Sequence, residues 1–208
     1  VALAGGRAYN AAMSNEIEVK FAVAGFDGIK KSLHDLPARY LQTVLLTDTY
    51  YDTPQRTLLS EDAGIRIREV KYLRSAVRHT REHRPQLTYK GPGHGGTTAK
   101  IRREVQTHVD CPEAIDEILR ACGLEMTLRI QKRRTTYKAR RCVVELDELP
   151  IIGSWVEVEG PDEKTVLAKA QKLGLTGPPI KDHYIDLLTA AEPEVGRSIH
   201  ELIFEPPH

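Results

Sequence analysis

Glu16, Glu18 and Lys20 alternate with Ile17, Val19 and Phe21 in NEIEVKF, residues 15–21. Successive side chains of a strand point to opposite faces, so two carboxylates and an ammonium share one row. Such a row is either a solvated face or a place to hold a hard cation and aim an amine at an anion. Six further segments repeat the pattern. GIRIRE sets Arg66 and Arg68 together with Ile65 and Ile67 behind them, and LTYK ends in Lys90. IRREVQ aligns Arg102, Glu104 and Gln106, and IQKRRTTY aligns Lys132 and Arg134. CVVELDE aligns Glu145 and Asp147, and SWVEVEG aligns Glu157 and Glu159.

Alternating strands commonly leave one side wet. The distribution of charge argues for something else. Like charges side by side are mildly destabilising, so solvated faces usually mix their signs. Here acid stands with acid at 16/18, 145/147 and 157/159, and base with base at 66/68 and 132/134. The Val and Ile faces are those that amphipathic helices would cover, which turns the charged faces inward if the sheet closes. Seven acids (Glu16, Glu18, Glu104, Glu145, Asp147, Glu157, Glu159) and seven bases (Lys20, Arg66, Arg68, Lys90, Arg102, Lys132, Arg134) would then line one lumen. Carboxylates suit a hard divalent ion, Mg2+ or Mn2+, and guanidinium groups grip phosphate oxygens bidentately. A ligand with several phosphates satisfies both territories. Glu145 is open to either role, as a metal neighbour or as the partner of an arginine.

The elements that must position these residues are eight strands, expected near 15–24, 43–51, 64–70, 86–90, 100–107, 129–137, 141–147 and 153–160. Turn-rich pieces such as DTPQR, the GPGHGG run and LPIIG separate them. Helices are expected at 26–36, 111–123, 161–174 and 182–192; the second and third begin with Pro112 and Pro161 and end at Gly123 and Gly174. The fold class is α+β, with antiparallel strands around one large sheet. Residues 1–12 read as a tail, 13–192 as a single domain and 193–208 as a C-terminal tail whose Ile199, Leu202, Ile203 and Phe204 could dock as one short turn. The connection at 71–85, KYLRSAVRHTREHRP, is either a solvated hairpin or a basic lid over an anion.

Composition excludes several classes. Over 208 residues, 30 Lys+Arg against 29 Asp+Glu give a net charge of +1, which makes nucleic acid an unlikely partner on charge alone. Cys111, Cys122 and Cys142 form no C-x-x-C pair, as expected of three free thiols in a reducing compartment. His79 and His83 lack the second cluster that a transition-metal site needs. No apolar run reaches the ~20 residues of a membrane span, so a cytoplasmic protein is expected.

The motifs taken in order, E-x-E-x-K at 16–20, TYYDTP at 49–54, GIRIRE at 64–69, LTYKGP at 87–92, R-x-E at 102–104, K-x-R at 132–134, LDE at 146–148 and G-x-W-x-E-x-E at 153–159, resemble the CYTH superfamily of triphosphate tunnel metalloenzymes. The resemblance implies a closed eight-stranded antiparallel β-barrel, a tunnel with helices packed outside, that binds a triphosphate-bearing small molecule with Mg2+ or Mn2+. It implies Glu16, Glu18, Glu157 and Glu159 as metal ligands with Glu104 and Asp147 as further ones, and Arg66, Arg68, Lys90, Arg102, Lys132 and Arg134 as the triphosphate clamp. Lys20 is similar to the family's lysine that positions or activates the nucleophile, which with Glu16 and Glu18 makes the catalytic set. KDHYIDLL at 181–188 is similar to the family's closing K-x-S-Y-x-x-L-L, implying that Lys181 reaches the tunnel mouth, with His183 in place of Ser. Gln106 stands where many members have another acid.

Three functions fit such a lining. A hydrolase would direct water at a terminal phosphorus of inorganic, nucleoside or thiamine triphosphate. A class IV adenylyl cyclase would direct the ribose 3′-hydroxyl of ATP at the α-phosphorus. A binding module for polyphosphate or RNA ends would catalyse nothing, but the basic 71–85 segment lacks the aromatic interleaving of stacking platforms. The hydrolase asks least of the clamp and is the expectation here. The expected assembly is a monomer or a homodimer.

Overall fold

Closure of the sheet rests on one long pairing. In the computed structural model, β2 (Arg39–Asp52) runs antiparallel to β6 (Glu125–Ala139), from Arg39 opposite Lys138 to Asp52 opposite Glu125. The other members are β1 (Ala12–Val23), β3 (Gly64–Ser75), β4 (Gln86–Gly93), β5 (Lys100–His108), β7 (Cys142–Leu149) and β8 (Gly153–Glu159). Their order is β2-β3-β4-β5-β1-β8-β7-β6, and the β2–β6 pairing makes the ring complete. The result is a closed eight-stranded antiparallel barrel in an α+β fold. The described residues are 12–76, 84–93, 98–182, 184–195 and 200–205. Residues 1–11, the middle of the basic connection with His79 and His83, the centre of the GPGHGG run, His183 and Ile199 lie outside them.

β2 and β6 are each longer than their alternating sequence suggests, starting at Arg39 and Glu125 in place of 43 and 129. Register shifts at Tyr40/Gln42 and Tyr50/Tyr51 accompany the extra length, and such bulges bend a strand as a closing sheet requires. The Val and Ile faces point outward under helices. Val19, Phe21, Val144, Leu146, Val156 and Val158 pack against Ile29 and Leu33 of α1 (Asp27–Asp35) and Val166 and Ala170 of α4 (Glu163–Lys172). Tyr51 and Ile67 are covered by Leu119 of α3 (Pro112–Ala121). α4 is held at its start by Asp162, which accepts from Thr165 N at 2.7 Å, and at its end by Lys169 and Lys172. Gly123 and Gly174, at φ 85° and 78°, supply the left-handed turn after α3 and α4. A one-turn helix, α2 (Thr57–Ser60), follows Asp52, whose carboxylate accepts from the N–H groups of Thr53, Leu58 and Leu59.

One end of the barrel is filled. Leu128 and Ile130 of β6, Leu149 of β7 and Trp155 of β8 close around Tyr184 and Leu188 of α5 (Tyr184–Val195) and around Leu202. The C-terminal segment does dock, but as a two-residue parallel strand, β9 (Glu201–Leu202), with Leu202 opposite Ile130. It follows where β7 ends along the same edge of β6, and that edge offers backbone partners that a turn would leave unmet. No helix among the described residues is long and apolar enough to cross a membrane.

Gly160 follows the last acid of β8 and lies against α4. A Cβ there would meet Val166 Cγ1 at 2.8 Å and Cys142 Sγ at 3.3 Å, both in the packed outer core. Gly160→Ala should therefore destabilise the protein by about 1–3 kcal/mol in urea denaturation, the usual cost of overpacking.

Candidate active site

Register carries the charged rows to a common interior. Glu16 lies opposite Arg102, Glu18 opposite both Lys100 and Glu159, and Lys20 opposite Glu157. Glu157 in turn faces Glu145, Asp147 faces Arg134, and Lys90 faces Glu104. Between these strands is a cavity of about 240 Å3. Its lining brings together Glu16, Glu18, Lys20, Arg66, Arg68, Lys90, Arg102, Glu104, Lys132, Arg134, Glu157 and Glu159, as the alternation required.

The charges are matched unevenly. Lys90 Nζ donates to both oxygens of Glu16 at 2.6 Å and lies 2.8 Å from Glu104 Oε2. Arg134 is gripped by three acids: Asp147 at 2.5 Å and 2.6 Å, Glu157 at 2.6 Å, and Glu145. Burial opposes ionisation of Glu157, but Arg134, Lys132 and Lys20 outweigh it and hold the carboxyl below its usual range. Glu18 and Glu159 have no hydrogen-bond or ion-pair partner among the described residues. Burial, then the charges of Glu157 and Glu16, push Glu18 up to about 8. Burial, Glu145 and Glu16 raise Glu159 as well.

On the basic side the reverse holds. Arg102 is 3% exposed, yet its Nε and Nη1 have no acceptor, and Arg66 Nε is likewise without one. Buried guanidinium nitrogens without acceptors are costly, and a phosphate oxygen in the cavity would satisfy them. Lys20 Nζ donates to the Asp182 carbonyl at 2.5 Å and stands 4.4 Å from the centre of the Tyr184 ring. Tyr184 donates its hydroxyl to Glu157 at 2.9 Å and Asp147 at 3.2 Å, so α5 is bonded into the wall it closes.

Two expected site residues lie elsewhere. Asp147 is completely buried behind the wall, bound by Arg134, Lys132 at 2.9 Å and Tyr184, and is absent from the lining. Lys181 is exposed and also absent from the lining; its carbonyl accepts from Lys100 Nζ at 2.9 Å. Lys100 itself lines the cavity. Alternation could have found it, since Lys100 precedes Arg102 and Glu104 on the same face. Tyr50 and Gln106 also line the cavity, while Tyr51 points outward and donates to Asp116 at 2.7 Å. Glu145 lines the cavity and pairs with Arg134.

No three carboxylate, imidazole or thiolate groups among the described residues converge as a finished metal cage. The donor set nevertheless fits a hard divalent ion, being all carboxylate, with Glu18 and Glu159 unpaired and raised by their like-charged neighbours.

Residues 14–184 match the CYTH domain family. The chain belongs to that family. A Methanocaldococcus jannaschii protein named as a candidate adenylate cyclase is 22% identical over 144 residues, 69% of this chain and 75% of its own length. The solved structure of a candidate adenylate cyclase from Vibrio parahaemolyticus superposes with a TM-score of 0.69 at 20% identity, over 84% of this chain and 97% of that one. A Hippeastrum protein, described as a candidate adenylyl cyclase with a dominant triphosphatase activity, gives 0.62 at 16% identity over 85% and 96%. At these identities the two structures establish the CYTH fold.

The raised Glu18 sets a sign for the metal-free protein. A carboxyl whose folded pKa exceeds its unfolded one costs stability progressively as pH rises from about 4.5 to about 8. In EDTA, Glu18→Gln should therefore raise the urea midpoint at pH 8 and leave it nearly unchanged at pH 4.5.

Proposed function

We propose that this CYTH protein is a divalent-metal-dependent triphosphatase acting on inorganic or organic triphosphates. The observation that carries the reading is the set of buried guanidinium nitrogens on Arg102 and Arg66 that find no acceptor among the described residues, in and beside a cavity lined by both charge signs. An anion with many oxygens, reaching several arginines at once, is the guest that such donors favour.

Arg66, Arg68, Arg102 and Lys90 hold the phosphate chain from one side, and Lys132 and Arg134 from the other. Glu18 and Glu159, with Glu16 and Glu157 beside them, would hold Mg2+ or Mn2+. The ion supplies charge neutralisation on the phosphate oxygens, the larger part of what phosphoryl transfer asks of a site. Lys20, buried and fixed by the Asp182 carbonyl, presents its ammonium to the attacking oxygen and keeps it in line. Water adds to the terminal phosphorus, the P–O–P bond breaks, and orthophosphate and diphosphate leave.

Two features support hydrolysis over cyclisation. The cavity of about 240 Å3 is below the ~300–1,000 Å3 of sites that enclose drug-sized ligands, a size in keeping with a phosphate chain. Its aromatic side chains are Tyr50 and Tyr184, and Tyr184 is committed to Glu157, Asp147 and the packed end of the barrel. Cyclisation remains a second reading because the archaeal relative carries that name.

Incubation with Mg2+ or Mn2+ and either ATP or inorganic triphosphate, followed by product separation, tests the choice. Orthophosphate release is expected; cyclic AMP with diphosphate would overturn the proposal. Arg102→Ala should lower kcat/KM about 100-fold, on the scale of removing one preorganised donor. Glu18→Ala and Glu159→Ala should abolish the metal-stimulated rate, and wild-type rates in both would refute the metal assignment.

A further inference from the structure

We infer that Asp48 is a positioning residue for the phosphate-gripping arginines, a role that rests on the triphosphatase reading above. Asp48 is 1% exposed and sits behind the cavity wall, outside the lining. Register puts it there: it pairs directly with Arg68 across β2 and β3, with Arg66 diagonally placed opposite Tyr50. Arg68 donates from Nε to Oδ1 at 2.6 Å and from Nη2 to Oδ2 at 2.7 Å, and this fork fixes the plane of the guanidinium. Arg66 donates from Nη1 to Oδ2 at 3.2 Å. One carboxylate thus ties down an edge of the first arginine and a corner of the second. Arg66 Nε remains without an acceptor.

The charged groups around Asp48 are Arg68, Arg66 and Lys132. Burial opposes its ionisation, yet the two arginines hold its carboxyl well below the usual range, so it stays charged at any working pH.

A negative charge next to a polyanion site is a liability for binding, because it repels the guest and cancels part of the clamp. Its benefit is geometric. Two guanidinium groups two residues apart on one face of β3 repel each other and have many rotamers, and a shared buried acceptor on β2 fixes both before the substrate arrives. The two accounts of Asp48 give opposite signs. As a mere counter-charge, its neutralisation would tighten triphosphate binding and leave kcat intact. As a positioning residue, its neutralisation lowers kcat even though net attraction rises. Asparagine offers one acceptor oxygen and turns an N–H2 toward an Arg68 donor, so the fork cannot re-form.

The test compares wild type, Asp48→Asn and Asp48→Glu. It measures kcat and KM separately for inorganic triphosphate with Mg2+, and titrates inorganic triphosphate into metal-free protein. Asp48→Asn should lower kcat about 10- to 100-fold. Asp48→Glu, which keeps the charge and moves it by one methylene, should also lower kcat. Wild-type kcat in both variants, or tighter binding by Asp48→Asn with unchanged kcat, would overturn the role. Loss of one partner from a buried ion pair can prevent folding. Asp48→Asn/Arg68→Gln removes both charges and should lose little more activity than Arg68→Gln alone; a large additional loss would overturn the inference. A wild-type protein that neither binds nor hydrolyses any triphosphate would refute the triphosphatase reading. An active wild type with indifferent variants would refute only the role of Asp48.

Discussion

The structure depends on enclosing rows of like charge together with rows of the opposite sign. Strands with two acids or two bases on one face are unfavourable in isolation, and the barrel brings both kinds into one interior. Adding Asp48 and Lys100 to the interior set leaves the count of acids and bases equal, at eight of each. Balance in number hides imbalance in space. Arg134 is shared by three acids, while Arg102 keeps two buried nitrogens without acceptors and Glu18 faces other carboxylates. Those local surpluses are what the proposed metal and phosphate chain would cancel.

Everything that shapes this interior is peripheral to it. The outward Val and Ile faces, covered by α1 and α4, hold the strands that carry the acids. The β2–β6 pair closes the ring, and its bulges take up the bend. Tyr184 links the packed end to the charged wall, because one side chain belongs to the apolar cluster and also donates to Glu157 and Asp147.

Most of the architecture was legible in the sequence because alternation of period two reports which side chains share a face, and sign-sorting reports that the face is enclosed. The strands of clean alternation, at NEIEVKF, GIRIRE and SWVEVEG, placed their charged residues correctly in the lining. Depth behind the wall was not legible. Asp147 alternates with Leu146 like any lining residue, and only its three partners reveal that it lies behind the wall. Asp48 lies in TDTYYD, where polar residues stand on both faces and no alternation marks it. Lys181 precedes α5 in an extended segment with no period to fix its direction, and the register that aligns Lys100 with Glu18 is a property of paired strands.

The apolar filling at the α5 end has a bearing on traffic. Leu128, Ile130, Leu149 and Trp155 pack against Tyr184 and Leu188, while Glu159 is exposed at the opposite end of its strand. Under the proposed activity, a phosphate chain would enter by a free terminus, and a cut in the middle of a threaded polymer would be disfavoured.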